Sequence, residues 1–287
     1  MTKSTQFVAN KPEVCENLLY MEILGYLASI LIGMSLGLIG SGGSILTVPV
    51  LVYLFHVDPL LATTYSLAIV GLSSIAGVIS RIKQKLVDFK TIFVFGLPSI
   101  FGVFLARKFL LPAIPSSIHI TDTIDLSKSS FIMLFFATLM LTSALSMILG
   151  KNKKEIDGIL PVYGLTLMLV GLGEGLLTGI VGAGGGFLII PALVILAKLP
   201  MKKAIASSLV IISIKSLVGF SGDLTHTSVD WKFLFSIIVL ATIGIITGNF
   251  LNKTMDGAKL KKGFGWFVLA MSLVIFIEQF WTPFFIK

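Results

Sequence analysis

Two stretches of this chain carry residues whose types and spacing suit them to hold a ligand. Gly40, Ser41, Gly42, Gly43 and Ser44 form one glycine-rich junction; Gly182, Ala183, Gly184, Gly185 and Gly186 form the other. Glycine reaches positive φ and bares backbone N–H groups, and a helix beginning just beyond, at Ile45 or Phe187, adds its partial positive end. That combination binds anions. Ser41 and Ser44 add hydroxyl donors to the first junction, whereas Ala183 and Gly186 leave the second with backbone donors alone. The same glycines also suit close helix packing through small residues. A nucleotide-binding loop fits poorly, because no Lys-Ser/Thr pair follows the second junction and no strands alternate with helices around it.

Lys215 is the one basic residue that the pattern places deep in an apolar run, where an ammonium marks a substrate path unless its stem carries the charge out to the surface. Glu174 lies inside another run. Its carboxyl suits either a proton carrier or a structural partner for Lys215. Ser66 and Ser208, with Thr63, Thr64, Tyr65 and Ser207 beside them, either line the same cavity or bond neighbouring carbonyls. Asp88 and Asp230 precede helical runs and are expected to be N-caps. His56, His119 and His226 are far apart in expected loops, and the single cysteine, Cys15, allows neither an internal disulfide nor a thiolate cluster. No metal, cofactor or catalytic set is therefore expected.

These residues need elements to hold them, and composition says what kind. Hydrophobic residues make up 55% of the 287 and charged ones 13%, with a mean hydropathy of +1.00, against about 25% charged in soluble domains. A chain so apolar takes the bilayer as its solvent. Apolar runs fall at 23–39, 45–56, 60–80, 89–106, 130–149, 160–181, 187–198, 203–221, 233–251 and 263–281, ten membrane segments in all. Without visible strand alternation these read as helices and not barrel strands, giving an all-α polytopic membrane protein. The runs that follow the glycines are short: about twelve residues reach about 18 Å, well under the roughly 30 Å of hydrocarbon. They are broken helices whose glycine ends lie within the membrane.

An internal repeat organises the segments. Residues 37–51 match 179–193 at a constant offset of 142, and the same offset aligns Ala62 with Ala204, Ser66 with Ser208, Gly77 with Gly219, and Asp88 with Asp230. Each copy holds five segments, an odd number, so the second begins on the opposite side: the inverted-repeat plan of many secondary transporters. The expected divisions are a polar segment at 1–22, a first repeat at 23–149, a cytoplasmic linker at 150–159 and a second repeat at 160–287. Fourteen basic residues fall in the odd loops, starting with Arg81, Lys83, Lys85 and Lys90; the opposite side, termini included, has seven, among them Arg107 and Lys108. The odd loops should be cytoplasmic and both termini external. This scatter explains the net charge of +8 better than a nucleic-acid partner does. The stretch 107–129 is expected to be an external crossing without chemistry.

The paired Gly-x-x-Gly-x-Gly-Gly-x-x-x-x-x-Pro junctions, Gly37 to Pro49 and Gly179 to Pro191, resemble those of the sulfite exporter TauE/SafE family of bacterial permeases. The resemblance runs over essentially the whole chain. It implies a transporter in the bacterial cytoplasmic membrane that exports or exchanges a small sulfur-containing anion, such as sulfite or an organosulfonate. From the residues, the expectation is an anion site between the two repeats near the midplane, exposed to each side in turn as one repeat rocks against the other. Its contacts would be the two junctions, Lys215, Ser66 and Ser208, with Glu174 coupling protons. An anion channel is the alternative, and a membrane enzyme or accessory subunit a weaker one. The exact anion, the direction, the coupling ion and whether the chain forms a homodimer stay open at this level.

Overall fold

Backbone in hydrocarbon must bond to itself, and each of the ten apolar runs is helical in the computed structural model. It describes residues 11–115, 117–121, 124–149, 164–224, 227–251 and 257–285. The helices are α1 (Lys11–Ile39), α2 (Thr47–Tyr53), α3 (Pro59–Lys83), α4 (Phe89–Ala113), α5 (Lys128–Leu149), α6 (Gly164–Val181), α7 (Gly186–Ile195), α8 (Met201–Asp223), α9 (Trp231–Leu251) and α10 (Gly257–Phe285). Among the described residues, seven helices are long and apolar enough to cross a membrane. Phe93, Phe101, Phe235, Ile246 and Trp266 project outward, as a hydrocarbon surround permits. The expected linker at 150–159 and His226 lie outside the described residues. Helix α1 starts at Lys11, so part of the polar 1–22 stretch is helical.

Helix starts follow capping chemistry. Asp58 Oδ1 accepts the Leu60 N–H at 2.9 Å ahead of α3, with Pro59 at the first helical position. Asp88 Oδ1 accepts the Thr91 N–H at 3.2 Å and Asp230 Oδ1 the Lys232 and Phe233 N–H groups at 3.1 Å, so both aspartates cap as expected.

Two expectations about the fourth segment are corrected. Instead of ending near 106, α4 continues to Ala113, and Arg107 sits on it, buried, not in a loop. The helix also widens into π-type turns at Ile92–Gly96 and Ala106–Leu110. Each precedes a proline, Pro98 and Pro112. A proline donates no N–H and its ring crowds the carbonyl one turn back, so a wider turn relieves the misfit. Beyond it, strands β1 (Ser117–Thr121) and β2 (Ile124–Ser127) pair as an antiparallel hairpin. Polar Ser117, His119 and Thr121 alternate with Ile118 and Ile120, a period-two signal inside what reads as a featureless crossing.

Glycines set how closely the helices approach. A Cβ on Gly33 or Gly37 would overlap the backbone of α9 at Ala241 and Ile245, and one on Gly244 or Gly248 the backbone of α1. At the same offset, a Cβ on Gly175 would overlap α4 at Ser99, and one on Gly102 would overlap α6 at Leu172. The pairs α1–α9 and α6–α4 are thus backbone-to-backbone seams of small residues.

Other contacts also occur twice with the partners exchanged. The Asp230 N–H donates to Tyr65 Oη at 2.8 Å, and the Asp88 N–H donates to Ser207 Oγ at 2.9 Å; both residues of each bond are offset by 142 from those of the other. Helices α3 and α8 pack along each other, where Ser213 Oγ donates to the carbonyl of its own repeat equivalent, Gly71, at 3.2 Å.

Candidate functional site

The two glycine junctions differ in backbone form. In the first, Gly40–Leu46 is a 3-10 helix joining α1 to α2, with positive φ at Gly40. Helix α2 starts at Thr47, not Ile45, because the tighter turn already uses this stretch. In the second, Gly182, Gly184 and Gly185 all have positive φ, and α7 begins at Gly186 behind a left-handed Gly185 cap. Its ten residues reach about 15 Å, half of a hydrocarbon core.

Each junction is seated on the long helix of the other repeat. Gly40 lies against Ile205 of α8, and Gly182 against Thr63 of α3, its repeat-equivalent partner. The junctions also meet: a Cβ on Gly184 would sit 3.0 Å from Val70 Cγ1 and 3.4 Å from both Ser44 Cβ and Ser216 Oγ. Thr63, Ser66 and Val70 are spaced to share one face of α3, which puts Ser66 in the row facing the second junction. Its hydroxyl is buried and, like that of Ser216, finds no hydrogen-bond partner among the described residues. Ser208 donates to the Ile205 carbonyl at 3.0 Å. The side chain of Ser41 and the surroundings of Gly42 lie outside the description, while Gly43, Ser44 and Ala183 are buried.

Lys215 and Glu174, 1% and 5% exposed, form an ion pair through Nζ and Oε1. Helices α8 and α6 bring them together, and the lysine does not run out to the surface. Two further residues complete the set. Ser99 Oγ of α4 donates to Glu174 Oε2 at 2.6 Å, and Lys215 Nζ donates to Thr178 Oγ1 at 3.1 Å. Gly185 closes the cluster, for a Cβ there would collide with Glu174 Oε1, Thr178 Cγ2 and Lys215 Nζ. Its φ of +72° independently demands glycine. The positive end of α7, an ammonium and, among the described residues, a single carboxylate therefore share one buried cluster, with more positive than negative charge.

A second buried pair lies two turns along α8 from Lys215. Arg107 Nη1 donates to Asp223 Oδ2 at 2.6 Å and to Thr63 Oγ1 at 3.2 Å, and Thr64 Oγ1 donates to the same carboxylate oxygen at 2.7 Å. The residue pattern puts Arg107 in an outer loop and Arg81 in a cytoplasmic one. Both are buried, and Arg81 Nη2 donates to the Gly37 carbonyl at 3.1 Å and to Asn249 Oδ1 at 3.3 Å. The loop charge tally loses one residue on each side and keeps its imbalance. Arg81 is the repeat equivalent of Asp223, and Asn249 that of Arg107, so one contact exists twice with the arginine on opposite partners.

Among the described residues, no group of three or more His, Cys, Asp or Glu is placed to hold a metal ion.

The family model described as sulfite exporter TauE/SafE matches residues 25–275. A "Probable membrane transporter protein" of Xylella fastidiosa is 30% identical over 252 residues, spanning 85% of this chain and 91% of its own. The "Probable membrane transporter protein YunE" of Bacillus subtilis is 26% identical, over 76% of this chain and 84% of its own. A relative of the same description in Methanocaldococcus jannaschii is 28% identical, over 81% and 85%. No solved structure matches the chain. With its membrane helices, its paired junctions and a match across nearly its full length, the chain belongs to the TauE/SafE sulfite exporter family of membrane transporters.

Proposed function

We propose that the protein is a secondary transporter, working as an exporter, of a small sulfur-containing anion such as sulfite or an organosulfonate. The observation that carries this reading is the buried Lys215–Glu174 pair set against the left-handed Gly185 cap of a helix too short to span. An ion pair in such surroundings is expensive to bury and stabilises little compared with apolar side chains of the same volume. A functional use explains its presence better than stability does.

Protonation of Glu174 would remove its charge and leave Lys215 and the α7 end to an incoming anion. Anion binding and proton uptake then go together, so affinity rises as pH falls. A divalent anion moving with one proton still carries negative charge outward, and an inside-negative potential favours that direction. Ser66, Ser208, and the backbones of Gly40–Ser44 and Gly182–Gly186 form the remaining wall of the site. Two antiparallel repeats in a bacterial inner membrane, with both termini external, would expose it alternately. The exchange of contact partners at an offset of 142 and the excess of basic residues in odd loops support that arrangement.

The test is counterflow into proteoliposomes of labelled sulfite, sulfate and taurine, with and without a pH gradient. Expected is counterflow of at least one sulfur anion, stimulated by acid on the side of binding and lost in Glu174→Gln/Lys215→Gln. Flux with no counterflow would make the protein a channel, and absence of any anion flux would end the transporter reading.

A further inference from the structure

We infer that Arg107 forms a second anion station, which takes oxyanions two-pronged and lies on the same route as Lys215. A guanidinium has two useful edges. The Nη1 atom is held by Asp223 Oδ2 at 2.6 Å and Thr63 Oγ1 at 3.2 Å, which fixes the plane. Both Nε and Nη2, on the opposite edge, are buried and have no hydrogen-bond partner among the described residues. Arg107 is 3% exposed, and buried donors without a partner are costly. Parallel Nε–H and Nη2–H bonds are the geometry in which arginine grips a carboxylate, sulfite or sulfate-type anion. A lysine or a chloride ion cannot reproduce it.

The surroundings agree. Nη2 lies beside the Cα of Gly182, where any side chain would overlap it and where φ is +71°. The π-type turn Ala106–Leu110 is what carries Arg107, and such turns recur at functional positions. Asp223 is eight residues beyond Lys215 on α8, about 12 Å along the helix axis. The junction runs past both stations, Gly185 at Lys215 and Gly182 at Arg107. At the repeat-equivalent contact, Asn249 stands in place of Arg107 and Arg81 in place of Asp223, so no second copy of this station exists there. Under the topology proposed above, on which this inference rests, Arg107 stands on the outer side of Lys215.

The test is titration calorimetry of the purified full chain in nanodiscs with sulfite, sulfate and chloride. The wild type is expected to bind two oxyanions per chain. Arg107→Lys keeps the charge and loses the fork, and should weaken one of the two by about tenfold or more while leaving chloride nearly unchanged. Asp223→Asn keeps an acceptor for Nη1 and removes a competing negative charge, so oxyanion affinity should rise severalfold. A purely structural arginine would not give that rise, and this variant decides the matter if Arg107→Lys fails to fold. One oxyanion per chain in the wild type, lost in Glu174→Gln/Lys215→Gln and untouched by Arg107→Lys, would overturn this station and leave the proposed function standing. No binding by the wild type would overturn both.

Discussion

The two glycine junctions share a motif, a register and a helical scaffold, yet their surroundings are opposite in character. Around Gly185 stand Glu174, Thr178, Ser99 and Lys215. Around the first junction, the offset of 142 puts Ile32, Leu36, Ala241 and Ser73 at the equivalent positions. Ile32 and Leu36 are fully packed, and Ser73 returns its hydroxyl to the Ile69 carbonyl of its own helix. One copy of the unit is therefore close to what the scaffold needs for packing alone, and the other shows what has been added. The difference is ionic: the first junction is packed at these positions without a charged side chain.

Single substitutions should separate the copies most strongly. Lys215→Ala leaves a buried carboxylate without its cation and should lower stability by about 3–5 kcal/mol, read as a fall in the thermal midpoint of the purified protein. Gly185→Ala adds left-handed strain, about 1–3 kcal/mol, to a collision with the ion pair, and should abolish transport; full counterflow by this variant would break the assigned role of the cap. Replacing the pair by apolar side chains of similar volume, Glu174→Leu with Lys215→Met, should change stability by only about 1 kcal/mol in either direction while removing transport. A double variant as unstable as Lys215→Ala alone would mean that the pair is structural. Glu174→Gln keeps an acceptor for Lys215, so its expected effect is narrower: the acid stimulation of uptake disappears while uptake itself persists at low rate, measured as initial rate against pH. Least affected should be Ser73→Ala, within about 0.5 kcal/mol and with unchanged transport, since that hydroxyl only returns to its own helix.

Much of this framework could be read from residue pattern. All ten segments, the capping aspartates and the shortness of α2 and α7 follow from hydropathy, turn chemistry and length. The pattern allows the pairing of Lys215 with Glu174 only as one of two readings, because residues 41 positions apart carry no periodic signal of contact. Ser99 and Thr178 carry a fainter signal. Aligned at the offset, each is a polar residue opposite an apolar one, Ala241 and Leu36, as Glu174 is opposite Ile32. Polar departures between copies, more than the shared glycines, trace the cluster. Arg107 was misplaced because Pro112 and Pro115 look like loop punctuation, whereas the helix absorbs Pro112 by widening. The hairpin at Ser117–Ser127 was hidden for a related reason: its strands are too short to stand out beside apolar runs several times their length.

The seams of small residues bear on how the molecule can move. Where backbone rests directly on backbone, as α1 does on α9 and α4 on α6, there are few side chains to slide or re-pack, so in the proposed cycle each pair would move as a single rigid block. Each block takes one helix from either copy of the duplicated sequence, so the mechanical partition does not follow the genetic one. Opening and closing would then be a shear of two hybrid bodies along α3 and α8, which touch at Gly71 and Ser213, and not a rocking of one repeat as a unit against the other.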